Sequence, residues 1–295
     1  MLGNLQLSIF NMANEQNTYR KIPVVVISDV HLGTYGCHAN ELVAYLKSIS
    51  PEILVLNGDI IDGWQFNKRY WPSAHHQVLS AIMKMISRGT TVYYITGNHD
   101  EMLRKFSDLN LGNFHLVDKL VLKLDGKRAW IFHGDVFDLS VNTGKWIAKI
   151  AGKSYDYIIL LNRAVNWILE KFGREKVSIS KKIKAGVKKA VKFIDDFEET
   201  AAQHAIDQKY DYVVCGHIHQ PQIRTIENEN GSVLYLNSGD WIENLTALEY
   251  DKGEWRIYSY EKEMSALLGQ LQKEKKVVVS PSFIESETFV VLNTI

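Results

Sequence analysis

Residues Glu52 to Asp62, EILVLNGDIID, decide how the rest of this sequence is read. Ile53, Leu54, Val55 and Leu56 form a short unbroken apolar run, the pattern of a strand buried on both faces. Asn57-Gly58-Asp59 ends it, because these residue types are poorly tolerated inside a strand. Asp59 therefore falls just past the carboxyl end of a buried strand. In open α/β sheets such ends converge on one crevice. A carboxylate at its centre has two oxygens with which to bridge two cations.

The same arrangement recurs on both sides of this stretch. Upstream, Ile22 to Ile27 (IPVVVI) is a buried strand that runs into Ser28-Asp29-Val30-His31-Leu32-Gly33. Asp29 and His31, two apart, point to one face if the chain stays extended. They read either as an O/N ligand pair for a borderline divalent metal or as a loop with a capping Asp and a surface His. Residues 40–48 read as a helix, and Pro51 ends the connection into the central strand. Asp62 is read as a turn cap in preference to a carboxylate that orients a ligand. A second helix spans 73–87, with His75 and His76 near its start read as solvated.

Further along, Thr91 to Ile95 (TVYYI) ends in Thr96-Gly97-Asn98-His99-Asp100. Asn98 offers a neutral oxygen ligand. His99 is a candidate proton donor or phosphate clamp, because histidine titrates near neutral pH, and Asp100 is expected to raise its pKa by proximity. Short strands follow near 114–124, then a hairpin turn at Asp125-Gly126 and the strand Arg128 to Phe132, which stops on His133-Gly134-Asp135. The strand Tyr210 to Cys215 stops on Gly216-His217-Ile218-His219-Gln220-Pro221, placing two imidazoles two residues apart. Cys215 reads as a packing residue. Strands at 222–226, 233–237, 245–250 and 254–260 close the core, and residues 261–295 read as a short helix and a polar tail.

Residues 138–208 interrupt the alternation with helical patterns alone. Ile158, Leu161, Val165, Ile168 and Phe172 form one stripe. Ile183, Val187, Ala190 and Ile194, continued by Phe197, Ala201 and Ala205, form another. Lys181, Lys184 and Lys188 belong to a run of lysines that reads either as a solvated basic face or, together with Trp146 and Trp167, as an amphipathic lid on an anionic, partly apolar partner. The resulting division is a loose leader over 1–20 with Met12 as an alternative start, a core over 21–137 and 209–262, a helical insertion over 138–208, and a C-terminal extension over 263–295.

Composition narrows the function classes. Lys plus Arg and Asp plus Glu each number 34, so there is no net charge to attract nucleic acid. Two cysteines, Cys37 and Cys215, exclude a disulfide framework and fit a reducing compartment. The first residues lack a charged n-region followed by a long apolar run, so they do not read as a signal peptide, and no apolar run reaches the ~18 residues of a membrane span. The expected location is the cytoplasm, peripheral on the inner face of the membrane.

Taken together, DVH, GDIID, GNHD, HGD and GHIH follow one another in that order, each directly after an apolar strand. This series resembles the calcineurin-like metallophosphoesterase superfamily at every block, over about residues 29 to 240. GDIIDGW with its Trp64, the GHIHQP block and the helical insertion resemble the UDP-2,3-diacylglucosamine diphosphatase group of bacterial lipid A biosynthesis, whose better-known members carry Arg where this chain has His99. The resemblance implies a four-layer α/β sandwich, two sheets flanked by helices, with an inserted cap.

It also implies that Asp29, His31, Asp59 and His219 hold one divalent ion, and that Asp59, Asn98, His133 and His217 hold a second. Mn(II) is the expected metal, with Fe or Zn as alternatives. The implied reaction is hydrolysis of a pyrophosphate bond by attack of metal-bound hydroxide on phosphorus. His99 would protonate the leaving oxygen with Asp100 beside it. Asn98, Trp64, Lys181, Lys184 and Lys188 would contact a lipid-bearing nucleotide substrate at an anionic membrane. The alternatives are a phosphodiesterase or phosphatase acting on a soluble nucleotide and, from another class, a non-catalytic binding scaffold.

Overall fold

The computed structural model describes residues 19–64, 70–137 and 179–278. Within these, β1 (Arg20–Ile27), α1 (Ala39–Ser48), β2 (Ile49–Asn57), α2 (Ser73–Ser87) and β3 (Thr91–Ile95) alternate as the sequence suggests. They are followed by β4 (Leu109–Leu111), β5 (Phe114–Val117), β6 (Leu120–Leu124) and β7 (Lys127–Ile131). After a gap come α3 (Ile179–Asp207), β8 (Tyr212–Cys215), β9 (Gln222–Asn228), β10 (Gly231–Asn237), β11 (Thr246–Asp251), β12 (Glu254–Ser259) and α4 (Tyr260–Val278).

The strands form two sheets. The larger runs β12-β11-β1-β2-β3-β5-β4, and the smaller runs β6-β7-β8-β10-β9. β1, β2, β3 and β5 are parallel neighbours in the first, and β7, β8 and β10 in the second. The expected Asp125-Gly126 turn joins β6 to β7 with Leu124 opposite Lys127, and both turn residues have positive φ, as a two-residue hairpin requires.

Strand alternation explains the layering. Val24 and Val26 of β1 and Val55 of β2 face the second sheet, where they meet Ala129, Ile131, Val214 and Leu236. Their neighbours Val25, Ile27, Leu54 and Leu56 point the other way, onto Leu42, Tyr45 and Leu46 of α1, Val78, Ile82 and Met85 of α2, and Met264 of α4. Sheets sandwiched this way need apolar residues at every position, which is why β1 and β2 read as continuous apolar runs. The mixed α/β sandwich of two sheets flanked by helices is thus the observed architecture.

Three boundaries differ from expectation. β2 begins at Ile49 rather than after Pro51. Proline is tolerated there because pairing with β3 starts only at Ile53, leaving the Pro51 nitrogen without a ladder partner on that side. The expected edge of the insertion at residue 208 falls at the end of α3. The carboxyl half of that helix is core: Phe197, Ala201, Ala202, Ala205 and Ile206 pack on Trp130, Val213 and Tyr235 of the smaller sheet. Its small alanines let the helix lie close and form the fourth layer. Finally, the short helix expected within 261–295 is α4, which starts at Tyr260 and runs for 19 residues. The leader up to residue 18, residues 138–178 of the insertion and residues 279–295 lie outside the described residues. Lys181, Lys184 and Lys188 fall on the backbone of α3, but their side chains lie outside what is described. No helix among the described residues is long and apolar enough to cross a membrane.

Candidate metal centre

The carboxyl ends of six parallel strands, three from each sheet, come together at one end of the sandwich. Asp29, Asp59, His133 and His217 each stand two residues past β1, β2, β7 and β8, and Asn98 and Asp240 stand three past β3 and β10. Asp29, His31, Asp59, His217 and His219 all adopt φ between 53° and 68°, a region that non-glycine residues seldom occupy. In this conformation each strand end turns sharply and directs its side chain into the shared crevice. Short hydrogen bonds hold the turns together: the N–H of Asp29 donates to the Gly58 carbonyl, that of His31 to the Asp59 carbonyl, and that of His217 to Asp29 Oδ2.

Asp59 lies at the centre, as its position in the sequence suggests. It is 2% exposed. Its Oδ1 accepts the His99 N–H at 2.7 Å, and its Oδ2 lies 3.2 Å from His133 Nε2 and 4.0 Å from His31 Nε2. Two groups of donor atoms surround it. Asp29, His31 and His219 have ligand atoms within 4.8 Å of one another, and so do Asp59, His133 and His217. Two glycines permit this crowding. A Cβ on Gly58 would meet the His133 ring at 2.3 Å, and one on Gly97 would meet Asp59 Oδ1 at 2.2 Å.

The donor atoms are oriented outward from their supports. His133 Nδ1–H donates to the Asn57 carbonyl at 2.9 Å, and His31 Nδ1–H to Asp62 Oδ2 at 3.1 Å, which turns Nε2 of each ring toward Asp59. Those two Nε2 atoms, Asp29 Oδ1 and both amide atoms of Asn98 are buried without a hydrogen-bond partner. Buried polar groups are normally satisfied, so the gathering here of His31 Nε2, His133 Nε2, Asp29 Oδ1 and Asn98 Oδ1 fits the binding of cations. The mixed N/O set without thiolate suits divalent ions of intermediate hardness. Together the two clusters form a candidate dinuclear site.

The electrostatics agree. Burial by itself would raise the Asp29 carboxyl, but the His219 imidazole 3.1 Å away holds it down at about 2. Asp59 is likewise held well below the carboxylate range: burial opposes this, and His133 and His31 override it. In return, burial that would lower His133 is overcome by Asp59 and its pKa stands at about 10, while Asp29 raises His219 to about 9. The crevice thus attracts positive charge, and a divalent cation competes with protons for the same lone pairs.

The remaining site expectations divide. His99 is at the crevice, with Trp64 against it at 4.3 Å between ring centroids; Trp64 is 55% exposed on its other side. Asp100 does not sit against His99. Its carboxylate accepts the N–H groups of Ile60 and Gly97 and the Tyr94 hydroxyl, and so fixes the backbone around Asp59. Burial raises its pKa. The carboxylate beside His99 is Asp62, with Oδ2 3.0 Å from His99 Nδ1. Asp62 Oδ1 also accepts the Trp64 N–H, so both readings of Asp62 hold: it caps the turn and, as in the reading not preferred, it orients a candidate ligand, His31. Asp62 stands three residues after Asp59, a spacing that signals a capped turn and nothing about the histidines that the fold brings to it. His75, expected at the surface, is 1% exposed and accepts the Gly33 N–H at Nδ1. Asp240 was not singled out. It is fully buried, accepts the N–H groups of Ile242 and Glu243, and pairs with Asn244, whose amide also donates to the His219 carbonyl. Its only signal in the sequence is another Gly-Asp at a strand end.

Comparison with known proteins agrees with this geometry. The chain is 24% identical over 223 residues to the UDP-2,3-diacylglucosamine hydrolase of Vibrio vulnificus strain YJ016, covering 73% of this chain and 88% of that protein. It is 25% identical to the enzyme of the same name from Aeromonas salmonicida, over 78% of this chain and 91% of that one. With that from Marinobacter nauticus it shares 26% identity, over 70% and 84%. The family profile for calcineurin-like phosphoesterases matches residues 22–221, well over half of the chain and every block from DVH to GHIHQP. The clusters of candidate ligands and this match together support a dinuclear-metal phosphohydrolase, and the chain belongs to the calcineurin-like phosphoesterase family.

Proposed function

We propose that this protein hydrolyses the pyrophosphate bond of a lipid-bearing nucleotide sugar of the UDP-2,3-diacylglucosamine type. The reading rests above all on Asp59, which forms one donor triad with His133 and His217 and whose Oδ2 lies 4.0 Å from His31 Nε2 of the other, so that one carboxylate is within reach of both. The substrate class is supported by relatives named for that hydrolysis, which match over most of their own length.

In this proposal Asp29, His31, Asp59 and His219 hold one divalent ion, and Asp59, Asn98, His133 and His217 the other, with Mn(II) favoured by the N/O donor set. Bound there, two such ions supply Lewis acidity to the phosphoryl oxygens and acidify an attacking water. The chain's own groups do the rest. His99, its Nδ1 facing Asp62, hands a proton to the leaving oxygen from Nε2. Trp64, half-exposed beside His99, contacts the substrate. Lys181, Lys184 and Lys188, on the helix that leaves the core, meet its anionic and lipid-like part at the inner face of a membrane. Asp100 keeps the Asp59 turn in place.

A phosphodiesterase of soluble nucleotides is the second reading. It is favoured by His99 standing where the better-known members of the lipid A group carry Arg. The purified chain with Mn(II) should be assayed on UDP-2,3-diacylglucosamine, a dinucleotide and a chromogenic diester. The highest kcat/KM is expected on the diacylated substrate. Faster turnover of the dinucleotide would overturn the lipid assignment and leave the metal chemistry standing.

A further inference from the structure

The backbone N–H groups that shape the first ligand turn can be followed one by one. Those of Asp29, Val30, His31 and Leu32 reach the carbonyls of Gly58, Asp59, Asp59 and Ile60, and that of Thr34 returns to His31. The N–H of Gly33 instead finds a side chain, His75 Nδ1, at 3.1 Å. An N–H can only donate, so Nδ1 carries no proton and the ring is neutral. The ring is held edge-on by Trp71, with centroids 5.2 Å apart, and by Tyr70 at 5.9 Å. Burial keeps the His75 pKa below the ordinary histidine value, which preserves that lone pair.

This contact is placed where it matters. Gly33 has φ 101° and His31 φ 53°, so the turn is one the chain does not choose on local grounds. A buried N–H left without an acceptor destabilises the conformation that buries it. Asp62 fixes the His31 ring, and His75, from α2, fixes the backbone two residues on.

We propose that His75 is a positioning residue of the first cation site: by accepting the Gly33 N–H it keeps the His31 turn closed, with His31 Nε2 toward Asp59. This rests on reading Asp29, His31 and His219 as cation ligands.

The test is Mn(II) titration of the full chain, by calorimetry and by electron paramagnetic resonance, for the parent, H75L, H75N and H75Q. An Asn oxygen falls near the place of Nδ1, so H75N keeps the acceptor, whereas H75L removes it. The parent should take two ions with a coupled dinuclear signal. H75L should bind one of them at least about tenfold more weakly, the usual scale for a lost support behind a ligand, and show a mononuclear signal. H75N should restore the pair. Unchanged affinities in H75L, or an H75N as weak as H75L, would overturn the proposal, the latter by showing that ring packing and not the acceptor matters. Should H75L not fold, H75Q, whose acceptor lies further along the side chain, decides: one weakened ion supports the proposal and two tight ions refute it. A parent chain that takes up no Mn(II) overturns the dinuclear reading and the His75 role with it. Two tight ions in every variant overturn the His75 role alone.

Discussion

Gly97→Ala isolates the position of the bridging carboxylate better than any change to the carboxylate itself. Gly97 is not in the left-handed region, so alanine's own φ is not strained there. What the new methyl meets is Asp59: Oδ1 at 2.2 Å, the backbone nitrogen at 2.7 Å and Cγ at 2.9 Å. Ordinary contact begins near 3.4 Å, so the carboxylate oxygen must retreat by about 1.2 Å. It has little room to do so. Oδ1 is tied to the His99 N–H at 2.7 Å, and the Gly97 N–H is tied to Asp100 at 2.6 Å, so both sides of the clash are anchored. Overpacking of this kind costs about 1–3 kcal/mol, leaving a folded protein. A displacement of about 1 Å at a reacting centre costs roughly 10²-fold in rate. The variant should therefore fold, lose at least one of two bound ions by elemental analysis, and turn over about 10²-fold more slowly on any phosphoester. Gly269→Ala is the control. Gly269 lies in α4 with open space around it, and the change should be neutral or stabilise by up to about 1 kcal/mol. A Gly97→Ala protein that keeps two ions and the parent's kcat would show that Asp59 does not bridge from where it stands.

Asp59→Ala should lose both ions, and full metal content by elemental analysis would refute the bridge. His99→Ala should keep both ions yet slow kcat by at least about 10²-fold; loss of metal would make His99 a ligand or a structural residue instead. Glu249 is 1% exposed and accepts from Arg20, Tyr45 and Arg256; burial opposes its ionisation, but Arg20 overrides it and the pKa is lowered. A lowered folded-state pKa contributes stability that is complete above the ordinary Glu value near 4.5 and is lost as pH falls through the lower folded value. Glu249→Gln should thus cost about 2 kcal/mol at neutral pH and progressively less in acid, so that the denaturation curves of the two proteins converge. A gap that stays constant from neutral pH into acid would contradict that account.

Much of this site could be read from the chain because its logic is local. Burial on both faces gives unbroken apolar runs, and candidate ligands placed two or three residues past the strand ends leave Asp, Asn or His within three residues of Val55-Leu56, Tyr94-Ile95 or Val214-Cys215. What could not be read depends on partners distant in sequence. Asp62 serves His31 and His99, separated by 68 positions, and nothing in GDIID announces either. Asp100 sits next to His99 in sequence, yet its carboxylate turns away to the Asp59 turn, since adjacent residues past a strand end need not share a face. His75 passes for a surface residue until Gly33 is brought against it. Phe197, Ala201 and Ala205 have the same periodicity as a lid stripe, and only the neighbouring sheet reveals them as core.

The left-handed conformation of Asp29, His31, Asp59, His217 and His219 bears on how this protein could be bred or evolved. Each such residue costs about 1 kcal/mol that a glycine would not, so the ligand positions are also the places where heat resistance is most cheaply gained. A mutant library screened for survival at high temperature, with no demand for turnover, should accumulate glycines at positions 31 and 217, and not at 29 and 219, whose carboxylate and imidazole pair at 3.1 Å. The lineage would become sturdier and inert together, its catalytic inheritance the first thing discarded. Only selection on the reaction itself keeps aspartate and histidine in turns that suit neither.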